Sequence, residues 1–274
     1  MSDLNTKSSG SKTEMTFFEH LDVLRKYIMR IAIAVVLFTI LAFIFKEIIF
    51  DILILGPRRP DFPTNIILCN LGNLWNIPEL CINQISFNII NTELAGQFRL
   101  HLSTSLTVGI ILSVPYALWQ IWLFVKPGLS KKEISKFKGF IFFSSFLFFT
   151  GVAFGYFIIS PLTINFLINY ETSSQITNLI DIHSYITTIT AIVLASGVIF
   201  ELPVLIFLLA NLGVVGPGFL KKYRKHSIII FFILAAIITP PDVFSQVLVA
   251  LPLMGLYEYG IRITSRIEKR RKND

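Results

Sequence analysis

Ser196-Gly197-Val198-Ile199-Phe200-Glu201-Leu202-Pro203-Val204 is the stretch whose reading decides the fold. It lies in an apolar run from Tyr185 to Gly213, with one carboxylate deep inside and a proline two residues later. Holding an ionised group at the centre of a bilayer costs about 3 kcal/mol or more. Glu201 is therefore expected to face protein or water rather than lipid. Pro203 removes a helix hydrogen bond beside it, so the helix is expected to kink there. The other apolar segments then read as walls around this carboxylate.

The composition fits that setting. Of 274 residues, 54% are hydrophobic and only 15% charged, with a mean hydropathy of +0.70. This excludes an ordinary soluble domain and points to an all-α membrane protein with several spans. In hydrocarbon the backbone must satisfy its own hydrogen bonds, which helices do. The long uniform apolar runs lack the alternation of a membrane β-barrel.

A net charge of +7 would suit a nucleic-acid binder, but its distribution argues for topology instead. Six spans can be drawn, and with the N-terminus inside, 20 of the 24 Lys and Arg residues fall on the inner side. Lys46, Arg58, Arg59 and Arg99 are the remainder. The asymmetry places both termini in the cytoplasm and leaves the inner surface with some affinity for anionic headgroups. Nucleic acid is not an expected partner.

In chain order, residues 1–15 are polar and are expected to be a disordered cytoplasmic tail. Phe17 to Lys26 reads as an interfacial helix running into span one, Tyr27 to Phe45, which rises about 28 Å. The outer loop 51–100 is rich in turn residues yet carries Ile66, Ile67, Leu68, Leu71, Leu74 and Trp75, so it reads as a structured cap. Its Cys69 and Cys81 are either two separate thiols or, in an oxidising outer compartment, a disulfide. Span two is His101 to Val125, span three is Gly139 to Ser160, and 161–183 is the second outer loop. Span four holds Glu201. The last two apolar runs, Ser227 to Thr239 and Val243 to Tyr257, rise only about 20 and 22 Å and predict short helices five and six. The six-helix domain thus occupies 16–263, with a basic cytoplasmic tail at 264–274.

Four constellations carry chemistry. Glu201 is either a carboxyl hydrogen-bonded inside the bundle or a polar group lining a cavity. In Thr239-Pro240-Pro241-Asp242-Val243-Phe244-Ser245-Gln246, a capping box explains Thr239 and Asp242. It does not explain Gln246, a polar residue inside a short span, which suggests an interhelical contact. Phe124-Val125-Lys126-Pro127-Gly128-Leu129-Ser130-Lys131-Lys132-Glu133 reads on composition as an ordinary positive inner loop. Phe18-Glu19-His20-Leu21-Asp22-Val23-Leu24-Arg25 reads as a helix at the inner surface. The four histidines are scattered, and no nucleophile–base pair or phosphate-cradling glycine loop can be proposed. Neither an enzyme, a cofactor nor a metal site is expected.

Together these four stretches resemble the TatC family, the multispanning signal-receptor subunit of the twin-arginine (Sec-independent) protein translocase. The resemblance runs from about Phe17 to Arg262 and rests on His20-Leu21 with Leu24-Arg25, Phe124 to Glu133, Phe200-Glu201-Leu202-Pro203, and Thr239 to Gln246. It implies a subunit of an oligomeric complex that binds the twin-arginine signal peptide of folded precursors. It implies transport with single-span TatA- and TatB-type partners on the proton gradient, in a bacterial inner membrane or an organellar one. By the same resemblance, Glu133 helps receive the arginine pair, Phe124 belongs to the same patch, and Leu24, Arg25 and Glu19 belong to the signal-peptide-binding surface. Glu201 faces a concave cavity, and Thr239, Asp242 and Gln246 mark where partner subunits dock. One departure matters: the family motif His-Leu-x-Glu-Leu-Arg has its acid where this chain has Val23. Glu19, one helical turn back on nearly the same face, is a better geometric substitute than Asp22, which points about 100° away.

The rival reading is a proton- or ion-coupled small-solute transporter with Glu201 as the coupling site. Such a transporter has no need of Phe124 and Glu133. The charge asymmetry gives the first test. A membrane-impermeant thiol reagent, applied after reduction, should reach Cys69 from the outer side only, and labelling confined to the inner side would overturn the six-span topology.

Overall fold

The computed structural model describes residues 17–76, 81, 89–128, 139–170, 173, 178–211, 213–239 and 243–273. The chain is helical almost throughout. Helix α1, Phe17–Ile44, joins the interfacial segment and the first span in one rod. A π-helical turn, Ile48–Ile54, leads into the outer cap, where α2 spans Pro63–Trp75. Helix α3 is Gly96–Val125. Helices α4, Phe140–Phe154, and α5, Ser160–Asn169, are joined by a π-helical turn at Gly155–Ile159. Helices α6, Ile182–Phe200, and α7, Leu202–Asn211, follow, then the short α8, Pro217–Lys222. Helices α9, Arg224–Ile238, and α10, Val243–Asn273, complete the bundle. Among the described residues, five helical stretches are long and apolar enough to cross a membrane: Leu21–Ile44, Gly96–Val125, Phe140–Asn169, Ile182–Asn211 and Gln246–Lys269. With 15 residues, α9 rises about 22 Å, short of a hydrocarbon core of about 30 Å.

Two boundaries differ from those expected. The third span does not stop at Ser160 but continues through Pro161 to Asn169. Proline is tolerated because the preceding π-helical turn has already loosened the ladder, and the Phe157 carbonyl, four residues before Pro161, accepts from Thr64 Oγ1. The sixth helix does not end with its apolar run at Tyr257 but continues through the basic segment to Asn273. Hydropathy sees the end of the apolar run; the residues beyond it, Arg266, Glu268 and Lys269 among them, are good helix formers.

The centre of the bundle is set by glycine. Gly151 and Gly155 lie one turn apart on α4 and at its end, facing Ser196 and Gly197 of α6. A Cβ at Gly151 would lie 2.6 Å from the Ser196 carbonyl and 2.7 Å from Phe200 Cβ. One at Gly155 would lie 2.8 Å from Ser196 Oγ, and one at Gly197 would lie 2.8 Å from the Phe148 ring. Lipid supplies no hydrophobic drive between helices, so such close backbone approach is how they associate. Gly109 does the same for α1 and α3, with Thr39 backbone nitrogen 2.7 Å from where a Cβ would be.

The outer cap is tied to the bundle by side chains reaching backbone carbonyls. Tyr156 Oη donates to Leu53 at 2.7 Å and Tyr185 Oη to Ile54 at 3.1 Å. Thr64 Oγ1 donates to the Phe157 carbonyl. Cys69 and Cys81 form a disulfide with Cα atoms 4.0 Å apart, closing a loop of sequence separation 12. In the chain-entropy account such closure is worth about 3 kcal/mol. A two-residue parallel pairing, Ile89 with Ile180 and Ile90 with Asp181, joins the two outer loops. Asp181 caps α6 by accepting from the His183 amide at 2.8 Å and also accepts from Thr92 Oγ1 at 2.9 Å. The Thr92 hydroxyl first, then the backbone amides, hold its carboxyl below the usual range.

Gly151→Val should lower stability by about 1–3 kcal/mol, the usual cost of forcing atoms into a packed interface. Gly216→Ala, with nothing within 4 Å of the added methyl, should be silent. The midpoint of thermal unfolding in detergent reads both. A Gly151→Val protein as stable as wild type would show that the α4–α6 contact is not what holds the bundle.

Candidate functional site

The helix carrying Glu201 breaks at that residue, two positions before Pro203. Glu201 adopts φ −76° and ψ −7°, and its amide bonds tightly back to the Val198 carbonyl at 3.1 Å. Its own carbonyl accepts from Val204 and Leu205, both at 3.0 Å, and so starts α7. Pro203 has no N–H to continue the α6 ladder, so the break falls where the sequence places it. The Glu201 side chain is half-buried and turns toward α4, where Ser144 Oγ donates to Oε2 at 2.7 Å. Ser144 is fully buried. Oε1 is also buried and has no hydrogen-bond partner. Leaving such an oxygen unpaired costs about 1–3 kcal/mol, so the site is arranged to accept one more donor. Gln120 Oε1, Ser145 Oγ and Ser196 Oγ are likewise buried without partners, an unusual store of unused polarity for three apolar helices.

A second group forms at the opposite ends of α1 and α3. The Tyr27 and Phe124 rings meet edge to face, with centroids 5.9 Å apart. This contact joins the first turns of α1 to the last turn of α3. Leu24, half-buried, and Arg25, exposed, lie within one turn of Tyr27. Arg30 lies over the Tyr27 ring, 5.6 Å from its centroid. Val23 is half-buried and Asp22 exposed. Glu133 lies outside the described residues, as does the Glu19 side chain. Beside this group, Trp122 packs on Phe140 at 5.5 Å and Phe140 on Phe207 at 6.3 Å, tying α3, α4 and α7 together.

The third group is the α9–α10 hairpin. Gln246 Nε2 donates to the Phe232 carbonyl at 3.0 Å, a contact from α10 to the backbone of α9. Thr239 is buried, but its hydroxyl donates back to the Ala235 carbonyl at 2.8 Å, closing α9. That bond assigns the Thr239 side chain a role at the end of α9 that the capping-box reading did not include. Asp242 lies outside the described residues. Tyr257 Oη donates to the Leu220 carbonyl at 2.9 Å and fixes α10 against α8.

The structure thus pairs Tyr27 with Phe124, Glu201 with Ser144, and Gln246 with Phe232. Sequence reasoning missed Ser144. A serine in a span can satisfy itself on the carbonyl four residues back, so nothing marks the one that donates elsewhere. Sequence reasoning also missed Gly151 and Gly155, whose Gly-x-x-x-Gly spacing within an apolar run is the signal that marks them.

Comparison with known proteins agrees with this arrangement. Residues 19–252 match the family model described as "Sec-independent protein translocase protein (TatC)". The chain is 38% identical to the protein of that name from Blattabacterium sp. subsp. Periplaneta americana over 264 residues, covering 96% of this chain and 99% of that one. It is 42% identical to the one from Helicobacter pylori strain ATCC 700392 / 26695 over 212 residues, covering 76% and 83%. A crystal structure described as the twin arginine translocase receptor TatC superposes with a TM-score of 0.67 at 30% identity, covering 91% of this chain and 99% of that one. A second, in DDM, gives 0.70 at 31%, covering 89% and 99%. A match over most of the length, with Glu201 at a helix break inside the bundle, has one reading: the chain is a multi-pass membrane protein of the TatC family, a component of the Sec-independent protein translocase.

Proposed function

We propose that this chain is the signal receptor of a twin-arginine translocase in a bacterial inner membrane. It binds the twin-arginine signal peptide of folded precursors and, with single-span TatA- and TatB-type subunits, moves them across on the proton gradient. The observation that carries the reading is the Tyr27–Phe124 contact. It joins the part of α1 that carries Leu24 and Arg25, within one turn of Tyr27, to Phe124 at the start of the segment that holds Glu133. A guanidinium pair needs planar carboxylate acceptors. Glu133 is the one acid among Lys126, Lys131, Lys132, Lys136 and Lys138, and a loop so basic would otherwise repel two arginines. With Val23 in place of the family acid, Glu19 supplies the second carboxylate. Gln246 and Thr239 lie where partner helices dock, and Glu201 offers its free oxygen to a group that enters the bundle.

A charge-assisted contact is worth about 1.5–3 kcal/mol, so Glu133→Ala should weaken binding of a twin-arginine signal by about tenfold to a hundredfold. Glu19→Ala should cost less and Asp22→Ala least. A twin-lysine signal should bind weakly to wild type and lose little more in Glu133→Ala. Wild-type affinity of Glu133→Ala for the twin-arginine signal would remove the loop from the receptor site.

For Glu201, the amide of Glu201→Gln can still accept from Ser144, whereas Glu201→Ala leaves that buried hydroxyl without its acceptor. Glu201→Gln should therefore transport better than Glu201→Ala, with both present in the membrane at wild-type levels. Loss of both proteins from the membrane would make the carboxyl a purely structural group.

A further inference from the structure

At the outer end of the bundle, away from all three groups above, a cavity of about 530 Å³ opens between the end of α1, the π-helical turn and the start of α3. Its size falls in the range of small-ligand sites. Lys46, Glu47, Asp51, Gln97 and His101 line it, with Phe98 at the rim. His101 is a built part of the wall. Its ring stacks on Phe43 at 3.9 Å and meets Phe50 edge to face at 5.7 Å, while Nε2 bonds the Phe43 carbonyl at 3.1 Å. That bond satisfies a carbonyl at the C-terminal end of α1, where the helix ladder stops. Among the described residues, no ion pair joins the Lys46, Glu47 or Asp51 side chains to a protein partner. One cation and two carboxylates therefore face the same space with their charges uncompensated.

The surroundings are apolar and exposed: Phe98 is 66% exposed, and Ile44 at the end of α1 and Leu102 and Leu106 on α3 are exposed as well. A ligand here has a polar end in the cavity and an apolar end along the helices. We propose that the cavity holds the headgroup of a phospholipid of the outer leaflet, and that this headgroup is phosphoethanolamine. Lys46 receives the phosphate, while Glu47 and Asp51 receive the primary ammonium, with Gln97 beside them. The acyl chains lie on the surface formed by Ile44, Leu102 and Leu106.

The charges choose among lipids. Lys46, Glu47 and Asp51 sum to a net negative cavity, which disfavours an anionic headgroup such as phosphatidylglycerol. A phosphocholine headgroup has the right charges, but its quaternary nitrogen has no N–H to donate to the two carboxylates. Phosphatidylethanolamine alone of the three satisfies both the charge and the hydrogen bonds.

The test is lipid retention by the full-length protein, delipidated in detergent and offered an equimolar mixture of the three lipids, read by native mass spectrometry. Wild type should retain phosphatidylethanolamine about tenfold over phosphatidylcholine, the worth of one charge-assisted hydrogen bond. The E47Q/D51N double variant should lose that preference, and K46E should lose retention of phosphatidylethanolamine altogether. Equal retention of the three lipids by wild type would overturn the site. So would a phosphatidylethanolamine preference that survives unchanged in E47Q/D51N, which would place the lipid elsewhere. Signal-peptide binding, measured on the same preparations, should be unchanged, because the cavity shares no residue with the proposed receptor surface.

Discussion

The backbone contact between α4 and α6 is the constraint on which the rest depends. At Gly151 and Gly155 the two helices approach until a methyl group would not fit. The approach sets Ser144, two turns before Gly151, at hydrogen-bond distance from Glu201, one turn beyond Gly197. With bulkier side chains the helices would stand further apart. The carboxyl would then face the interior with neither oxygen paired, a costly arrangement in hydrocarbon. The same tight contact carries the break at Glu201. A helix interrupted at mid-membrane exposes carbonyl groups that have no water to turn to, and such interruptions survive only where protein covers them. Here Phe200 and Val204, on either side of the break, are buried.

Most of the architecture was legible in the residues because membranes impose few solutions. The lengths of the apolar runs and the Glu201–Pro203 pair sufficed to draw a helical membrane bundle with one interrupted helix. Where the reading failed, it failed for local reasons. Pro161 looks like a stop, but the π-helical turn before it loosens the ladder, and the Phe157 carbonyl, four residues back, accepts from Thr64 Oγ1 instead of from an amide. The basic segment after Tyr257 looks like a tail, but hydropathy does not measure helix propensity. Tyr257, held on Leu220, starts that segment in helical register. Of the candidate site residues, Glu201 and Gln246 stood out because polar groups are costly in a span. Ser144 did not, because a serine is unremarkable until its partner is known.

The two ends of the molecule are built differently, and the difference follows from what each must bear. One end is cross-linked. A disulfide closes the cap on itself, while a two-residue parallel strand pairing and tyrosine hydroxyls on the Leu53 and Ile54 carbonyls join this end to α6 and to the π-helical turn after α4. The other end is held by aromatic contacts, Tyr27 on Phe124 and Trp122 on Phe140, worth about 0.5–1.5 kcal/mol each beyond burial. Such contacts can re-pair at little cost, as the proposed peptide-binding surface requires. The cap, by contrast, is tied to α6 and to the π-helical turn by backbone pairing and tyrosine hydroxyl contacts, which cannot re-pair without loss.

The α9–α10 hairpin completes this division. At 15 residues α9 is too short to span hydrocarbon of ordinary thickness, and its partner α10 outlasts it on the basic side. The mismatch thins the bilayer beside this edge or draws in other helices to cover it. Gln246, bonded to the Phe232 carbonyl, braces the short helix from within, so the hairpin keeps its shape without a partner. Its outward side remains apolar, with Ile229, Ile230, Ile233 and Ile237 all more than half exposed. An internally braced, too-short helix with an aliphatic outer face suits reversible association with other single helices. It can be left and re-covered without any buried polar group losing its bond.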